Sequence, residues 1–372
     1  MTPFRSNKIP SSVLDNAIPD KVHFVPSRSA RRIPTPARSR ATGRVTLADV
    51  AGVAGVSPIT VSRALRGERA VDPSLVARVK AAADRLGYVP DPAARALASR
   101  HSTHVALLIP MLSNALFVDV LEGVQGTLRR AGYQTLIGVT HYDAGEEQLL
   151  LGEQLLHRPA GLVVTGLERS DATRELIRAS GVPCVHLMET SSAPGVYSVG
   201  FSQADAAAAL TRHLLERGRR RIAFGAAQLD PRTLQRLEGW RREMQAAGLH
   251  APTLEWLNPA PSSLALGSTM FEQIVAQVPP VDAVFFCNDD LAQGALLTAL
   301  RLGIEVPARV AVAGFNDLTG SAQMLPPLTT VRTPREEIGT AAARMLLTLM
   351  RGEHPPSPCV DLGYELVVRE ST

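Results

Sequence analysis

The sequence predicts a small all-α unit near the N-terminus, followed by a larger two-lobed α/β core with parallel sheets. Three observations support this prediction. The chain has 372 residues, which is too long for one typical domain. Residues 1–100 contain 17 Lys and Arg against 7 Asp and Glu, so the remainder of a chain with net charge +4 carries −6. Beyond residue 104, short apolar segments alternate with amphipathic stretches.

The first 43 residues show neither helical nor strand periodicity. The stretch "PSRSARRIPTPARSRATG" is rich in Arg, Ser and Pro, a composition typical of disordered segments. We therefore expect residues 1–43 to form a disordered basic tail. The tail either adds non-specific attraction to phosphates or reflects an over-long predicted start of translation.

Residues 44–90 are predicted to form three helices with clear start and stop signals. Thr46 is placed to cap the first helix, with Asp49 as its capping-box partner. Ser57 and Asp72 each precede a proline, and proline is favoured at the first helical position. Glycines follow the first and third helices. One face of the first helix carries the apolar residues Leu47, Val50, Ala51 and Ala54.

The segment "GVSPITVSRALRG" is typical of a helix-turn-helix motif, because a tight turn leads into a helix that begins with polar residues. The second helix of such a motif enters the major groove of DNA. Ser57 and Thr60 then suit phosphate contacts, and Arg63 suits a bidentate contact to a guanine edge. The apolar pair at the helix start suits thymine methyl groups. The candidate DNA-contacting residues are Thr46, Ser57, Pro58, Ile59, Thr60, Ser62 and Arg63.

An ordinary helical hairpin with a solvated arginine face is the alternative interpretation of the same segment. The charge distribution favours DNA binding, because a basic head on an acidic body is suited to a polyanionic partner.

Residues 91–104 are predicted to form a short hinge helix and a linker, since Asp91 and the following proline open the stretch "AARALAS". The linker sequence "HSTH" places two histidines three residues apart without acidic neighbours, so we expect no metal site there. We also expect the cysteines to be buried and reduced, because they are far apart and lack metal-ligand spacing. They are Cys184, Cys287 and Cys359.

Residues 105–372 are predicted to form two similar lobes, because about 270 residues exceed one doubly wound unit. Short apolar runs between helices indicate parallel strands that are covered on both faces. The candidate strands are residues 105–110, 134–139, 161–166, 183–188, 221–226, 283–288 and 310–315. Ligands of such folds bind at the carboxyl ends of the strands, here in a cleft between the lobes.

Several function classes lack support in the sequence. No apolar run reaches the length of a membrane span, and the N-terminus has no apolar signal-peptide core. The chain has no G-x-S-x-G elbow, phosphate-binding loop, H-E-x-x-H motif or dinucleotide fingerprint. We therefore expect a cytoplasmic, nucleoid-associated protein that is not an enzyme and needs no cofactor.

Two stretches, "VTLADVAGVAGVSPITVSRAL" and "VARVKAAADRLGYVPDPAARALAS", closely resemble the headpiece of the lactose-repressor (LacI/GalR) family. The resemblance continues through "CNDDLAQGA" and "VAGFND" and covers about 330 residues. It implies a cytoplasmic bacterial transcription factor with a periplasmic-binding-protein-like core that forms a homodimer and binds a near-palindromic double-stranded operator. The stretches "HYDAGEEQ", "VPCVHLMET" and "LDPRTLQRLEGW" are similar to the gluconate-operon repressors within this family, whereas "VAGFND" departs from that branch.

The resemblance also implies roles for particular residues. Leu97 matches the leucine that such repressors insert into the minor groove, although it could instead pack the hinge helix against the headpiece. Leu116 and Phe117 match positions that wall the effector pocket. Arg236 matches an effector-binding arginine, and a surface arginine is the alternative.

Other candidate effector residues follow from position alone. Asn288 and Asp289 end one predicted strand, and Asn316 and Asp317 end another, so all four should face the cleft. Glu189 ends a third strand and could bind sugar hydroxyls or be solvated.

The spacing of Arg232 and Arg236 predicts that both guanidinium groups share one face of a helix that begins at the cleft. Two buried guanidinium groups favour an anionic effector over a neutral sugar, because a carboxylate offsets the cost of their desolvation. We therefore expect a sugar acid such as gluconate or ketogluconate. Arg232 could instead face solvent or pair with Glu189 or Glu238, leaving Arg236 to bind a neutral sugar. A corepressor-dependent repressor and a sugar-binding protein with a vestigial headpiece also remain open.

Overall fold

The computed structural model describes residues 45–67, 71–89, 102–112 and 115–372. The chain divides into two compact units, Met1–Asp91 and Pro92–Thr372. The predicted basic tail, the hinge helix and Leu97 lie outside the described residues. Among the residues that are described, no helix is both long enough and apolar enough to cross a membrane.

The described part of the first unit consists of three helices, α1 (Leu47–Ala54), α2 (Pro58–Arg66) and α3 (Pro73–Leu86). Their caps are those that the sequence predicts. Thr46 forms a capping box with Asp49. The three helices pack around a core of small apolar side chains, and residues of every helix contribute to it. This core contains Val50, Ala51, Ala54, Val61, Ala64, Val79, Ala82 and Ala83.

Two parallel sheets define two lobes in the second unit. The sheet of the first lobe has the strand order β11-β5-β4-β3-β1-β2, and the sheet of the second lobe has the order β7-β6-β8-β9. All pairings within both sheets are parallel. The strands are β1 (His104–Ile109), β2 (Gln134–Val139), β3 (Gly161–Thr165), β4 (Cys184–Leu187), β5 (Ser198–Gly200), β6 (Ile222–Ala227), β7 (Glu255–Asn258), β8 (Ala283–Phe286), β9 (Ala311–Ala313) and β11 (Cys359–Asp361).

A short antiparallel ladder joins β10 (Thr330–Arg332) to β12 (Glu365–Val367). Helices cover both sheets. They are α4 (Ala115–Arg130), α5 (Ala144–Leu156), α6 (Asp171–Ser180), α7 (Gln203–Glu216), α8 (Pro231–Ala246), α9 (Leu264–Val275), α10 (Asp289–Leu302) and α11 (Arg335–Met350).

The chain passes between the lobes more than once. It leaves the first lobe after β5, and α11 returns to pack on α4 of the first lobe. It then adds β11 to the first sheet before β12 pairs with β10. One continuous apolar cluster contains buried residues of both lobes. The predicted fold class, a helix-turn-helix unit with a two-lobed parallel α/β core, is therefore confirmed. The seven predicted strands are all present, and the described residues contain five further short strands that were not predicted.

Candidate functional site

The start of helix α2 and Arg63 are exposed, whereas Thr60 and Ser62 are half-buried. Val61 and Ala64 face the core of the unit, whereas Arg63 is exposed and Ile59 is 66% exposed.

Ser57 fixes the start of this helix. Its Oγ accepts a hydrogen bond from the Thr60 backbone N–H at 3.2 Å and lies 2.8 Å from the Thr60 hydroxyl oxygen. Pro58 occupies the first helical position, and Ser62 is half-buried. The Thr46 hydroxyl donates to Asp49 at 2.7 Å and is thus engaged in capping α1. The roles of these residues in DNA binding remain predictions.

In the second unit, a polar cavity lies between the two lobes at the carboxyl ends of their strands. We call it the main cavity. Loops after strands β1, β2 and β4 of the first lobe and after β6, β8 and β9 of the second contribute to its wall, as expected for parallel sheets. Its lining residues are Met111, Leu116, Phe117, Tyr142, Met188, Gln228, Asp230, Arg232, Thr233, Arg236, Ser262, Asn288, Asp290 and Asn316.

Arg236 lines the main cavity from α8 and is 5% exposed. Its Nε donates to Gln203 Oε1 at 2.8 Å, and its Nη1 donates to the Cys287 carbonyl oxygen at 2.6 Å. Its guanidinium carbon lies 4.1 Å from the centre of the Phe315 ring. No carboxylate within the described ranges forms an ion pair with Arg236, and burial lowers the pKa of its guanidinium. The hydrogen-bond acceptors of this buried cation are therefore neutral, and the Asp230 carboxylate attracts its charge without forming an ion pair with it.

Arg232 has a different electrostatic environment. Its Nη2 forms an ion pair with Asp230 at 3.1 Å, and the Tyr142 ring lies 5.9 Å away. Burial disfavours its charged form, but the attraction of Asp230 and Glu189 outweighs burial and raises the pKa of Arg232. Burial also raises the pKa of Tyr142 to about 12. The two arginines share the cavity wall as predicted, but Arg232 pairs with Asp230, a partner that we did not anticipate.

Two asparagines line the cavity from the second lobe. The Asn288 side chain caps α10 by accepting from the Leu291 N–H at 3.1 Å, and its Nδ2 lies 2.8 Å from the Ser262 hydroxyl. Asn316 is 2% exposed, and its Oδ1 has no hydrogen-bond partner in the described structure. A buried acceptor without a partner is costly, so a hydroxyl donor in the cavity would stabilise Asn316.

Asp289 does not line the main cavity, contrary to our expectation. Its fully buried carboxylate accepts hydrogen bonds from the Leu318 N–H at 2.6 Å, the Ser321 hydroxyl at 2.8 Å and the Thr330 hydroxyl at 2.7 Å. Burial raises the pKa of this carboxyl. The next residue, Asp290, lines the cavity instead. The error arose because the residues that follow the strand already form the first turn of α10, where consecutive side chains point in different directions.

Glu189 lines a neighbouring cavity, which we call the side cavity, and not the main cavity. It is 3% exposed and accepts from the Leu167 N–H at 3.1 Å and from Gln235 Nε2 at 2.7 Å. Arg232 and Tyr142 line both cavities. Glu189 is thus neither solvated nor in contact with the space beside Arg236.

Several cavity residues were not among the candidates, although Tyr142 and Asp230 lie in the quoted stretches "HYDAGEEQ" and "LDPRTLQRLEGW". Tyr142 lies in the loop after β2 in a left-handed conformation, and Gln228 and Asp230 lie in the loop after β6. Their position at strand ends is the signal that could have identified them. Asp317, predicted for the cleft, instead pairs with Arg332 at 2.9 Å and with Arg369 at 2.7 Å.

Burial raises the pKa of the Cys184 thiol to about 12 and that of the Cys287 thiol to about 11. Across the part of the chain that the structure describes, no group of three or more His, Cys, Asp or Glu side chains is arranged to hold a metal ion.

Comparison with known proteins gives consistent results. Residues 46–91 match the family model "Bacterial regulatory proteins, lacI family", and residues 211–372 match "Periplasmic binding protein-like domain". The chain is 54% identical over 334 residues to an HTH-type transcriptional regulator GntR of Pseudomonas aeruginosa, with 90% of this chain and 97% of that protein covered. It is 36% identical over 323 residues to the HTH-type transcriptional regulator GntR of Escherichia coli K12, which covers 87% of this chain and 97% of the relative.

Solved structures are similar as well. A LacI-family transcriptional regulator from Silicibacter pomeroyi superposes with a TM-score of 0.82 at 34% identity, covering 88% of this chain and 99% of that one. The transcription regulator GntR from Chromobacterium violaceum has a TM-score of 0.71 at 49% identity and covers 72% of this chain and 98% of its own.

Proposed function

The chain belongs to the LacI family of DNA-binding transcriptional regulators, and we propose that it is a repressor released from its operator by a small sugar acid. The sugar acid binds in the main cavity between the lobes. Gluconate and ketogluconate are the proposed effectors. The proposal extends to a cytoplasmic homodimer, in which each helix-turn-helix reads one half of a near-palindromic operator.

The observation that carries the effector proposal is the state of Arg236. A buried guanidinium without a carboxylate partner has lost hydration that its neutral neighbours only partly replace. A carboxylate in the cavity offers Arg236 a bidentate acceptor and neutralises its charge. A neutral sugar supplies hydroxyl acceptors but leaves the charge in place. Arg236 alone favours an anionic effector, because Asp230 already neutralises Arg232.

The remaining cavity groups suit a chain of hydroxyls. Asn316 Oδ1 accepts from one hydroxyl, and the Asn288 and Asp290 side chains lie on the same wall of the cavity. Leu116 and Phe117 provide an apolar wall for the carbon backbone of the effector. This combination of one anion-binding group, several polar groups and an apolar wall is typical of small-molecule sites.

A neutral-sugar effector is the second candidate, and the ion pair between Arg232 and Asp230 favours it. If that pair remains intact on binding, the cavity presents one unneutralised cation, Arg236, together with one further acidic side chain, Asp290. Because these two charges are opposite, the cavity attracts an anion less strongly.

Isothermal titration of the full chain with gluconate, 2-ketogluconate, glucose and ribose distinguishes these candidates. We expect an acid to bind and the neutral sugars to bind much more weakly. Tight binding of a neutral sugar without binding of either acid contradicts the proposal.

A gel shift on the promoter region of the protein's own gene, with and without each sugar, tests the remaining alternatives. Release of DNA by the sugar supports an inducible repressor. Stronger DNA binding with the sugar indicates corepression, and no DNA binding under any condition indicates a vestigial headpiece. The complete set of helix caps in α1, α2 and α3 argues against a vestigial headpiece.

A further inference from the structure

We propose that Arg335 is a positioning residue that couples occupancy of the main cavity to the arrangement of the two lobes. Arg335 is the first residue of α11 and does not line the cavity. The proposal rests on the proposed function only in that a ligand fills this cavity.

The backbone of Arg335 is fixed to the first lobe. Helix α11 crosses α4 so closely that a methyl group at Gly123 would collide with the Glu336 carbonyl oxygen. A methyl group at Gly339 would likewise collide with the Val120 carbonyl oxygen. Backbone contact at two glycines leaves little room for α11 to slide on α4. The start of α11 therefore moves with the first lobe.

The side chain of Arg335 reaches groups on both sides of the cleft. Its Nε donates to Asp119 Oδ2 at 2.7 Å, and its Nη1 donates to the Asn316 carbonyl oxygen. Asp119 lies on α4, two residues after the cavity residue Phe117. Asn316 lines the cavity from the second lobe. One guanidinium thus joins the elements that carry opposite walls of the cavity.

The backbone at Asn316 is strained, which makes it responsive to its partners. Asn316 has φ 109° and Asp317 has φ 52°, both in a region that L-residues rarely adopt. Such a conformation persists only where surrounding contacts hold it. A ligand that donates to Asn316 Oδ1 acts on Asn316. Arg335 acts on the same residue, because it donates to the Asn316 carbonyl oxygen.

This geometry meets the thermodynamic requirement for coupling. A ligand shifts a two-state equilibrium only by the difference in its interactions with the two states. Because the two acceptors of Arg335 belong to different lobes, the paired bonds can form in only a limited range of lobe orientations. Arg335 therefore favours one relative orientation of the lobes. Ligand contacts at Asn316 and Phe117 stabilise or destabilise that orientation.

The test measures the operator Kd of the full chain with and without saturating gluconate, using a fragment from the promoter region of its own gene. Arg335→Gln and Asp119→Asn each remove the ionic link. The matched controls are Arg344→Gln, at an exposed position of α11, and Glu122→Gln, at an exposed position of α4.

We expect the gluconate-dependent ratio of operator Kd values to fall by about fivefold or more in both link variants. The ratio of gluconate Kd values measured with and without operator should fall by the same factor, because coupling between two binding sites is reciprocal, and the controls should retain both ratios of the parent. The double variant should lose no more than either single variant, because both remove the same interaction. A parental ratio in Asp119→Asn and Arg335→Gln would overturn the proposal.

Hydrogen exchange without ligand provides a readout that does not depend on gluconate. We expect both link variants to exchange faster in residues 115–121 of the first lobe and residues 316–321 of the second. Acceleration confined to the start of α11 would overturn the proposal. If the parent binds no sugar acid, the proposed function is wrong, and the exchange pattern still decides the role of Arg335. If Arg335→Gln does not fold, Asp119→Asn decides both measurements.

Discussion

We expect the proposed effector recognition to depend most strongly on Arg236, because both hydrogen-bond acceptors of its buried guanidinium are neutral. We predict that Arg236→Ala weakens binding of the sugar acid by about 1.5–3 kcal/mol, the value typical of hydrogen bonds to charged groups. Isothermal titration measures this loss. Arg242→Ala, at an exposed position of the same helix, should leave the affinity unchanged. Equal losses in the two variants would show that the effect is not specific to the cavity.

Arg63 is predicted to determine which DNA sequence the helix-turn-helix prefers. It lies on the exposed side of α2, away from the buried Val61 and Ala64. Arg63→Ala should reduce operator affinity by about 1–3 kcal/mol while weak binding to random DNA is nearly retained. Competition gel shifts with operator and random fragments measure both affinities. An equal loss on the two DNAs would mean that Arg63 contacts only phosphates.

His186 is predicted to make the stability of the second unit depend on pH. Burial and the nearby Arg169 guanidinium lower its pKa from 6.5 to about 4, so the imidazole is neutral in the folded protein. Between these two values the unfolded chain binds the proton more tightly, so stability falls as the pH falls. The His186 contribution to this loss is about 2 kcal/mol at pH 5.

Urea unfolding at pH 7.5 and pH 5 measures this contribution. The difference between the two pH values should shrink in His186→Asn and persist in His157→Asn, which changes an exposed histidine. The same pH dependence in parent and His186→Asn would assign the effect to other groups.

At the scale of secondary-structure elements, α2 depends on its cap. Ser57 satisfies the Thr60 N–H at the start of the helix. Ser57→Ala should destabilise α2 by about 1 kcal/mol, which corresponds to about fivefold faster amide exchange in α2. Hydrogen exchange of the full chain checks this expectation. The control Ser62→Ala changes a hydroxyl inside the same helix, and an equal acceleration in that variant would argue against the cap.

Elements with strong local signals could be predicted from the sequence, and elements that depend on pairing could not. The caps at Thr46, Ser57 and Asp72 and the seven apolar strands were predicted correctly. Strands β10 and β12 have three residues each, too few for a periodic pattern, and they form because distant segments pair with them. The sequence likewise could not predict which of Asp289 and Asp290 lines the cavity, because the direction of each side chain depends on the geometry of one helix turn.

At the scale of the whole molecule, the hinge segment is expected to connect DNA binding with DNA shape. Leu97 is an apolar residue among small residues in the stretch "AARALAS". Leu97→Ala should weaken operator binding and reduce the DNA bend, because an apolar wedge that unstacks one base step would be lost. The affinity for the effector should change little. A circular-permutation gel measures the bend, and a bend equal to that of the parent would contradict the wedge role.

The repeated passage of the chain between the lobes has a consequence for biosynthesis. The first sheet needs β11, and the second lobe binds Ser371 through the Val312 N–H and the Val312 carbonyl oxygen. Both lobes are therefore completed only after residues 359–371 have been synthesised. The three helices of the first unit, whose core lies within residues 45–88, can fold as soon as they emerge. During synthesis, a folded helix-turn-helix unit thus precedes the two lobes.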